Sequence, residues 1–427
     1  MNFPKQLLFV ALLNWSLFAM SPVEMHGRLS VDGTKIVGEH GQPVQLMGMS
    51  LYWSCWGPQK YWNKDVVDWL VEDWNIDMIR AAMAVDINDA WAGTPGWIHN
   101  KEEQYAMVKT VVDAAIDNGI YVAVNWHTHY IHTDAAVEFF THMAQEYADY
   151  PNIIWQPFNE PTLQSWNDIK ESQTTIINAI RQYSPNLVVA GTRGWSTELG
   201  TAANDRIPDD NTAYSFHFYA GQHGQDMRNW SDAAINNGLP VFISEWGTTA
   251  ADGGKTDRTV YVEESNIWIN WALDRDISMT NWSISDIDEE SAALIPGAPV
   301  TGGWDPQTQL TTSGRFMRDL IRDLNTAKGY WSGNDSISVV NQRPALSSPQ
   351  ISVSENTNDI SFTLNNPGNV RAEFYNAQGR LVYAVEWRML DAGLHRKNLE
   401  PISAAGFLTG ILKIDNKVIG TFHKLNL

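Results

Sequence analysis

The sequence is short of cysteine, of basic residues and of long apolar runs. Its single cysteine, Cys55, cannot form a disulfide within the chain, and a zinc site built from paired thiolates is excluded. We expect Cys55 to be an inert buried thiol. Lys and Arg number 29 against 49 Asp and Glu, which gives a formal net charge of −20. Nucleic acids and anionic membranes bind clustered basic residues, so we expect neither as a partner.

One apolar run opens the chain, over residues 7–19, behind Lys5 and ahead of small residues. It is too short to span a bilayer comfortably, and its flanks are typical of a secretion signal. The sequence therefore predicts a signal peptide at residues 1–20, no membrane span and a secreted product. A buried first helix is the alternative.

Short β-branched apolar runs alternate with segments of helical period over residues 26–330. This alternation predicts parallel strands wrapped by helices, an α/β fold. Eight such repeats in about 300 residues have the size of a (β/α)8 TIM barrel. The predicted strands are 44–49, 76–83, 120–126, 153–158, 187–191, 213–218, 240–245 and 278–283; the clearest predicted helices are 101–118, 135–150, 167–183 and 258–275.

The composition changes after Tyr330. Residues 331–348 are rich in Ser, Asn and Pro, as in a linker, and 349–427 show brief alternating runs separated by turns. We expect a small antiparallel β-sandwich, with strands at 360–364, 370–375, 381–385, 407–414 and 418–422. Only Trp387 of the 20 tryptophans lies in this domain, so stacking surfaces for sugar rings belong to the barrel.

Two glutamates each end an apolar strand of the predicted barrel. Glu160 lies in Phe-Asn-Glu-Pro and Glu245 in Ile-Ser-Glu-Trp-Gly. Active sites of TIM barrels lie at the carboxyl ends of the strands, so the two carboxylates should converge. A pair about 5 to 5.5 Å apart performs retaining glycoside hydrolysis, in which one group protonates the leaving oxygen and the other attacks the anomeric carbon. So close a pair should keep one proton near neutral pH, and it needs no cofactor or metal.

Other strand ends carry polar or aromatic side chains suited to the same site. The structural alternative is that each glutamate only pairs with Arg80 or caps the following helix. Several such strand ends occur in the same predicted barrel, and this favours a catalytic role for the glutamates over the structural alternative. These residues are Arg80, Asn125, Trp126, His127, Asn159, His217, Tyr219 and Trp282.

At these residues the chain resembles glycoside hydrolase family 5, and in particular its bacterial endoglucanases. Phe-His-Phe-Tyr-Ala-Gly, Ser-Glu-Trp-Gly and Asn-Trp-Ser in that order carry most of the likeness. The matching segments are 26–29, 44–50, 79–83, 125–127, 159–161, 216–229, 244–247, 281–283 and 291–297.

The resemblance implies that Glu160 is the acid/base and Glu245 the nucleophile. It implies that Arg80 and Tyr219 hydrogen-bond the nucleophile and keep it ionised, and that His217 tunes the acid/base. Asn159 would hold the sugar 2-hydroxyl. The residues expected to contact the glucosyl rings are His127, Trp56, Trp282 and Glu289.

The chain departs from the family pattern at three positions. Asn125 stands where Asp often precedes Trp-His, Ala84 where an aromatic is usual, and Ile287 where a lysine commonly reaches the donor subsites. These departures leave the strength of sugar binding open. Trp91 or Trp97 could supply the aromatic contact that Ala84 lacks.

The C-terminal segment 349–427 contains an apolar run at 370–375, Gly379-Arg380, Ala392-Gly393 and a final Lys424. With these features it resembles the sorting domains that direct cargo through the bacterial type IX secretion route. The likeness implies contact with secretion machinery and an extracellular or cell-surface location in a bacterium. A plain structural module and a carbohydrate-binding module stay open as alternatives.

Two rival functions remain at this stage. His127, His129 and His132 could ligate a metal, since His-x-His at a barrel strand end can do so. Alternatively, the barrel could grip polysaccharide without cutting it. For the hydrolase itself, cellulose is the first expectation, while mannan, xyloglucan and mixed-linkage glucan suit the same dyad.

Overall fold

The computed structural model describes residues 20–88 and 94–330, followed by strands lying between 351 and 426. The chain divides into two compact units, Met1–Asp335 and Ser336–Leu427. Residues 1–19 of the predicted signal peptide and the whole predicted linker lie outside the described residues. Within the described part, no helix has both the length and the apolar character needed to cross a membrane.

The first unit is a closed barrel of eight parallel strands, which confirms the predicted fold. An antiparallel hairpin of β1 (Ser30–Asp32) and β2 (Lys35–Val37) precedes it. The barrel strands are β3 (Met47–Leu51), β4 (Met78–Ala84), β5 (Tyr121–His127), β6 (Ile153–Gln156), β7 (Val188–Ala190), β8 (Thr212–Tyr219), β9 (Val241–Gly247) and β10 (Met279–Ile284). Each strand pairs with the next along the chain, and β10 closes the barrel against β3.

All eight predicted strands overlap observed ones, with small differences at their ends. The first begins at Met47 rather than at residue 44, because the Val44 amide donates to the Ile36 carbonyl of the hairpin. The fourth ends at Gln156, so Glu160 lies in the loop that follows it.

Helices surround the barrel, and side chains at their ends fix several boundaries. Asn63 caps α2 by accepting a hydrogen bond from the Val66 amide, and Asn75 ends it in a left-handed conformation. Ser165 caps α5 in the same way. The helices are α1 (Pro22–His26), α2 (Lys64–Trp74), α3 (Lys101–Asp117), α4 (Thr133–Glu146), α5 (Trp166–Arg181), α6 (Arg193–Ser196), α7 (Leu199–Asn204), α8 (Gln225–Asn236), α9 (Val262–Leu273) and α10 (Thr312–Ala327), with a 3₁₀ turn at Pro58–Tyr61.

Two apolar clusters hold the barrel. The larger lies between the strands and the helices and contains Trp74, Trp155 and Trp268, all buried. The smaller joins Leu29 and Ile36 to residues at the starts of strands, and so covers the amino-terminal end of the barrel. Cys55 is buried, as expected. The opposite end, where the strands finish, is left for polar side chains.

The second unit contains two antiparallel sheets. The strands are β11 (Ile351–Val353), β12 (Asp359–Leu364), β13 (Gly368–Tyr375), β14 (Leu381–Leu390), β15 (Gly393–Asn398), β16 (Gly406–Ile414) and β17 (Lys417–Asn426). One sheet has the order β11-β12-β15 and the other β14-β13-β16-β17. Val370, Ala372 and Phe374 are buried at alternate positions of β13, as in a strand with one face inward. The packing of the two sheets as a sandwich stays a prediction.

Candidate active site

A cleft of about 650 Å³ lies at the carboxyl ends of the barrel strands. It collects most of the side chains that the sequence singled out, from strands far apart in the chain. The predicted residues that line it are His127, Glu160, His217, Tyr219, Glu245, Trp282 and Glu289.

The two glutamates face one another in this cleft. One carboxylate oxygen of Glu160, one of Glu245 and a ring nitrogen of His217 all lie within 4.8 Å of one another. Glu245 stands on β9, whereas Glu160 is held by its backbone, whose amide donates to the Thr128 carbonyl after β5. Both side chains are largely buried: that of Glu160 is 13% exposed and that of Glu245 is 6% exposed.

Glu245 accepts hydrogen bonds on both of its oxygens. Arg80 Nη1 lies 2.9 Å from Oε2, and the Tyr219 hydroxyl donates to Oε1 at 2.8 Å. Burial, followed by the charges of Glu245 and Glu160, raises the pKa of Tyr219 well above its usual value, so the phenol remains a donor at neutral and alkaline pH.

Arg80 is fully buried, and all three nitrogens of its guanidinium donate hydrogen bonds. Besides Glu245, it donates to Gln156 Oε1 at 2.9 Å, to the Ser50 hydroxyl at 3.2 Å and to the side-chain oxygen of Asn159. These contacts turn the Asn159 amide so that its nitrogen, Nδ2, has no partner within the described part of the chain.

Glu160 is bracketed by two histidines. His217 Nδ1 lies 2.8 Å from Oε1, and His129 Nε2 lies 3.0 Å from Oε2. Burial alone would raise the pKa of Glu160, but the hydrogen bonds from His129 and His217 outweigh it and lower that pKa to about 2. Burial opposes protonation of His129, but its hydrogen bond to Glu160 and the nearby carboxylates raise its pKa. Both shifts are in the direction of an ionised Glu160 beside a protonated His129, while the expectation that one of the two glutamates keeps a proton near neutral pH stays a prediction.

A family model described as cellulase (glycosyl hydrolase family 5) matches residues 37–288. The chain belongs to glycosyl hydrolase family 5. Endoglucanase A of Evansella cellulosilytica is 42% identical over 292 residues, which are 66% of this chain and 57% of that protein. Endoglucanase N of Pectobacterium atrosepticum is 39% identical over 318 residues, 73% and 69% of the two chains. The chain thus spans between 57% and 69% of the length of these two relatives.

Solved structures agree with this family assignment. A structure from Cytophaga hutchinsonii is 39% identical, with a TM-score of 0.68, and the match covers 72% of this chain and 99% of that one. The catalytic domain of an endoglucanase from Thermobifida fusca, solved in complex with cellotetraose, is 30% identical, with a TM-score of 0.65. That match covers 71% of this chain and 100% of the other.

Asn125 is the first departure from the family 5 pattern. Its side-chain oxygen lies 2.6 Å from His127 Nδ1, so that nitrogen carries the hydrogen of a neutral ring. Burial, with Arg80 and two other histidines nearby, lowers the pKa of His127 well below its usual value. His127 is also stacked on Trp282, with centroids 5.2 Å apart and planes 7° apart.

The aromatic positions differ in part from those expected. Trp282 lines the cleft, but Trp56 does not; it packs behind Trp53, with ring centroids 5.2 Å apart. Trp53 lines the cleft in its place, its ring edge-on to His127 at 4.1 Å. The backbone is in a left-handed conformation at Trp56, and the side chain packs against the apolar cluster of Tyr52, Ala82 and Trp282. Trp56, the residue expected from the sequence, lies three residues after Trp53 in Trp-Ser-Cys-Trp.

Trp195 is an aromatic contact that sequence reasoning missed. Gly194, Trp195 and Ser196 all have positive φ, and the Trp195 amide donates to the Pro161 carbonyl beside Glu160. The indole lines the cleft and is 49% exposed. Three consecutive left-handed residues have no simple sequence signal, since only glycine favours this conformation.

The structure also shows what surrounds the other two departures from the family pattern, Ile287 and Ala84. Ile287 packs against Tyr52 and Trp282 in an apolar cluster, while Lys255 from the loop after β9 lines the cleft and pairs with Glu289 at 2.7 Å. A lysine is therefore present from a different loop. Trp97 is buried against Trp126 and does not reach the cleft, which corrects that suggestion for Ala84; Trp91 lies outside the described residues.

The three histidines of the metal hypothesis do not converge. His127 bonds Asn125, His129 bonds Glu160, and His132 Nε2 lies 3.2 Å from an Asp86 oxygen. Their nitrogens point to three different partners, which is not the arrangement of a shared metal site.

Proposed function

We propose that this chain is a retaining endo-β-1,4-glucanase that hydrolyses internal bonds of cellulose or related β-glucans by double displacement. The observation that carries the proposal is the pair Glu160 and Glu245, with carboxylate oxygens within 4.8 Å. So short a separation favours direct attack on the anomeric carbon over the wider spacing, with an intervening water, of an inverting pair. The names of the relatives, endoglucanases, support the substrate class.

Glu245 serves as the nucleophile in this proposal. A charge-assisted bond from Arg80 and a phenol donor from Tyr219 favour the ionised carboxylate that must attack the anomeric carbon. Bonding on both oxygens also fixes the carboxylate plane, so little reorganisation is needed at the moment of attack.

Glu160 serves as the acid/base. In the first step it gives a proton to the leaving oxygen as the glycosidic bond breaks and Glu245 bonds to carbon. In the second step it takes a proton from water, which then displaces Glu245 and releases the sugar. His217 orients Glu160 by donating to one of its oxygens.

Sugar recognition falls to polar and aromatic groups around the dyad. Arg80 holds the side-chain oxygen of Asn159 and leaves Nδ2 without a partner in the described part of the chain, so we assign to Nδ2 the hydrogen bond to the 2-hydroxyl beside the reacting carbon. His127 and Glu289 supply further polar contacts. Trp282 forms one stacking surface, and Trp53 takes the role first expected of Trp56.

We further propose that the protein is secreted and that the second unit is a β-sandwich acting in export. The resemblance of residues 349–427 to type IX sorting domains supports export, and the two antiparallel sheets are the pieces of a sandwich. Export is testable by fusing residues 336–427 to a reporter behind a signal peptide and following its release.

A substrate panel tests the activity. Carboxymethyl-cellulose, lichenan, xyloglucan, mannan and xylan are incubated with the purified protein and scored for reducing ends and product length. We expect internal cleavage of carboxymethyl-cellulose and lichenan. Preferential release from mannan or xyloglucan would reassign the substrate, and no reducing ends from any polymer would favour a binding protein.

Replacing the nucleophile ties the activity to the dyad. We expect Glu245→Gln to lower turnover by about 10⁴-fold or more, because the covalent route is lost while the side-chain shape is kept. Circular dichroism controls for folding. Near-normal turnover of a folded Glu245→Gln protein would exclude Glu245 as nucleophile.

A further inference from the structure

His129 contacts the oxygen of Glu160 that His217 leaves free. His217 takes Oε1 at 2.8 Å, and His129 Nε2 takes Oε2 at 3.0 Å. The Gln164 side chain holds the His129 backbone carbonyl at 2.7 Å, so the loop that carries His129 is tied to the loop that carries Glu160. The inference below rests on the proposed role of Glu160.

A network of hydroxyl groups closes the side of His217 that faces away from Glu160. The Ser244 hydroxyl accepts from the Gln156 amide at 2.9 Å and lies 2.6 Å from the Ser215 hydroxyl, which can donate to it. The Ser244 hydroxyl in turn lies 2.9 Å from His217 Nε2. With this edge closed by Ser244 and only 2% of its side chain exposed, His217 is fixed against Glu160 Oε1, whereas the His129 side chain is 34% exposed.

His129 is the more exposed of the two histidines that contact Glu160, and its bond to Glu160 Oε2 is a place where the acid/base can carry a movable proton. We propose that His129 and Glu160 share the proton that is delivered to the leaving group. In one form the proton is on Glu160 Oε2 and His129 is neutral; in the other it is on His129 Nε2 and Glu160 is ionised. One proton moves along one hydrogen bond between these forms, and the charge of the pair does not change.

The groups around His129 favour a proton on this pair. Glu160, Glu245 and Asp86 place negative charge near the ring, and they raise the pKa of His129 although its burial acts in the opposite sense. The basic groups nearby are Arg80 and His127. The charge of Arg80 is paired with Glu245, and burial lowers the pKa of His127 so that its ring stays neutral. The Trp53 ring packs edge-on to His129 at 5.9 Å.

Proton sharing has a thermodynamic consequence for the pH profile. A pair that can hold one proton at either of two sites loses it at a higher pH than either site would alone. The alkaline limb of kcat/KM reports loss of the proton needed for catalysis. It therefore lies at higher pH with His129 than without it.

His129→Gln removes the second proton site but can keep an amide near Glu160 Oε2. We expect its alkaline limb to move to lower pH by about one unit or more, so that kcat/KM on the limb falls about tenfold or more while the acidic side changes little. The measurement is kcat/KM for a soluble cello-oligosaccharide from pH 4 to pH 10. His132→Gln, whose histidine bonds Asp86 and not Glu160, is the matched control and should keep the wild-type profile.

Two results would overturn the proposal. An equal fall of kcat/KM at every pH, with the limb unmoved, would make His129 a structural residue. A limb displaced to higher pH would mean that His129 only suppresses protonation of Glu160. NMR titration of the His129 ring in the wild-type protein gives a readout independent of turnover: a pKa at or below its ordinary value also excludes sharing. Failure of the unmodified protein to cleave any glucan would instead refute the proposed function.

Discussion

Arg80 joins the nucleophile to the amide that is proposed to hold the sugar. A guanidinium with no exposed surface needs a paired charge and hydrogen-bonded nitrogens, because burial of an unpaired charge costs several kcal/mol. Glu245 pairs the charge, and Glu245, Asn159, Gln156 and Ser50 together bond all three nitrogens. The strength of this network places Glu245 and Asn159 in one fixed relation, which is the preorganisation that the chemistry requires.

Tyr219→Phe tests the second donor to the nucleophile. The change removes one hydrogen bond to Glu245 and keeps the ring, so we expect kcat to fall by about 10²-fold with an unchanged melting temperature. Tyr214→Phe is the control, because its ring is also buried and its hydroxyl accepts from the Ile207 backbone amide, away from Glu245. Equal activities of the two variants would remove Tyr219 from the account.

Residue type and position in or after the barrel strands, with the resemblance to family 5, singled out Glu160, Glu245 and Arg80 in the sequence, and the structure brings these side chains together. The pattern could not choose between Trp53 and Trp56, because that choice depends on a left-handed turn at Trp56. Nor could it show that His129 bonds Glu160, since the contact forms between two loops whose course has no short-range signal.

At the scale of the elements, the site depends on close contact between neighbouring strands. Gly48 in β3 pairs with Met78 in β4, and a Cβ at Gly48 would lie 1.8 Å from the Met78 carbonyl oxygen. No side-chain rotation relieves a clash with backbone, so the strands would have to separate. Ser50 and Arg80, on the same two strands, would then lose their register.

We therefore expect Gly48→Ala to destabilise the barrel by about 2–4 kcal/mol and to lower the melting temperature by about 5 °C or more. Gly200→Ala in α7 is the control, since nothing lies within 4 Å of a Cβ there. It should melt at the wild-type temperature or slightly above it. A Gly48→Ala protein as stable as the control would show that the contact between these strands is looser than described.

The strands were predictable because buried parallel strands have a continuous apolar run, and all eight were found. Their loops were not, although they carry much of the site. Lys255 reaches the cleft from the loop after β9, whereas the family pattern directed attention to position 287. Loop paths are set by local turns and contacts that periodicity does not report.

For the whole molecule, every described residue proposed to act in catalysis belongs to the unit Met1–Asp335. A domain with its own core is expected to fold and work alone. We expect a chain ending at Asp335 to keep kcat/KM for soluble cello-oligosaccharides within about twofold of the full chain. A folded truncated chain with far lower activity would show that Ser336–Leu427 takes part in the reaction.

The central claim is that Glu160 and Glu245 carry out double displacement across one glycosidic bond. The stereochemistry of the first product tests this most directly, because two inversions return the starting configuration and one does not. Proton NMR of cellopentaose hydrolysis, recorded before mutarotation, should show the β-anomer at the new reducing end. Appearance of the α-anomer first would contradict a covalent intermediate on Glu245 and, with it, the assignment of the two carboxylates.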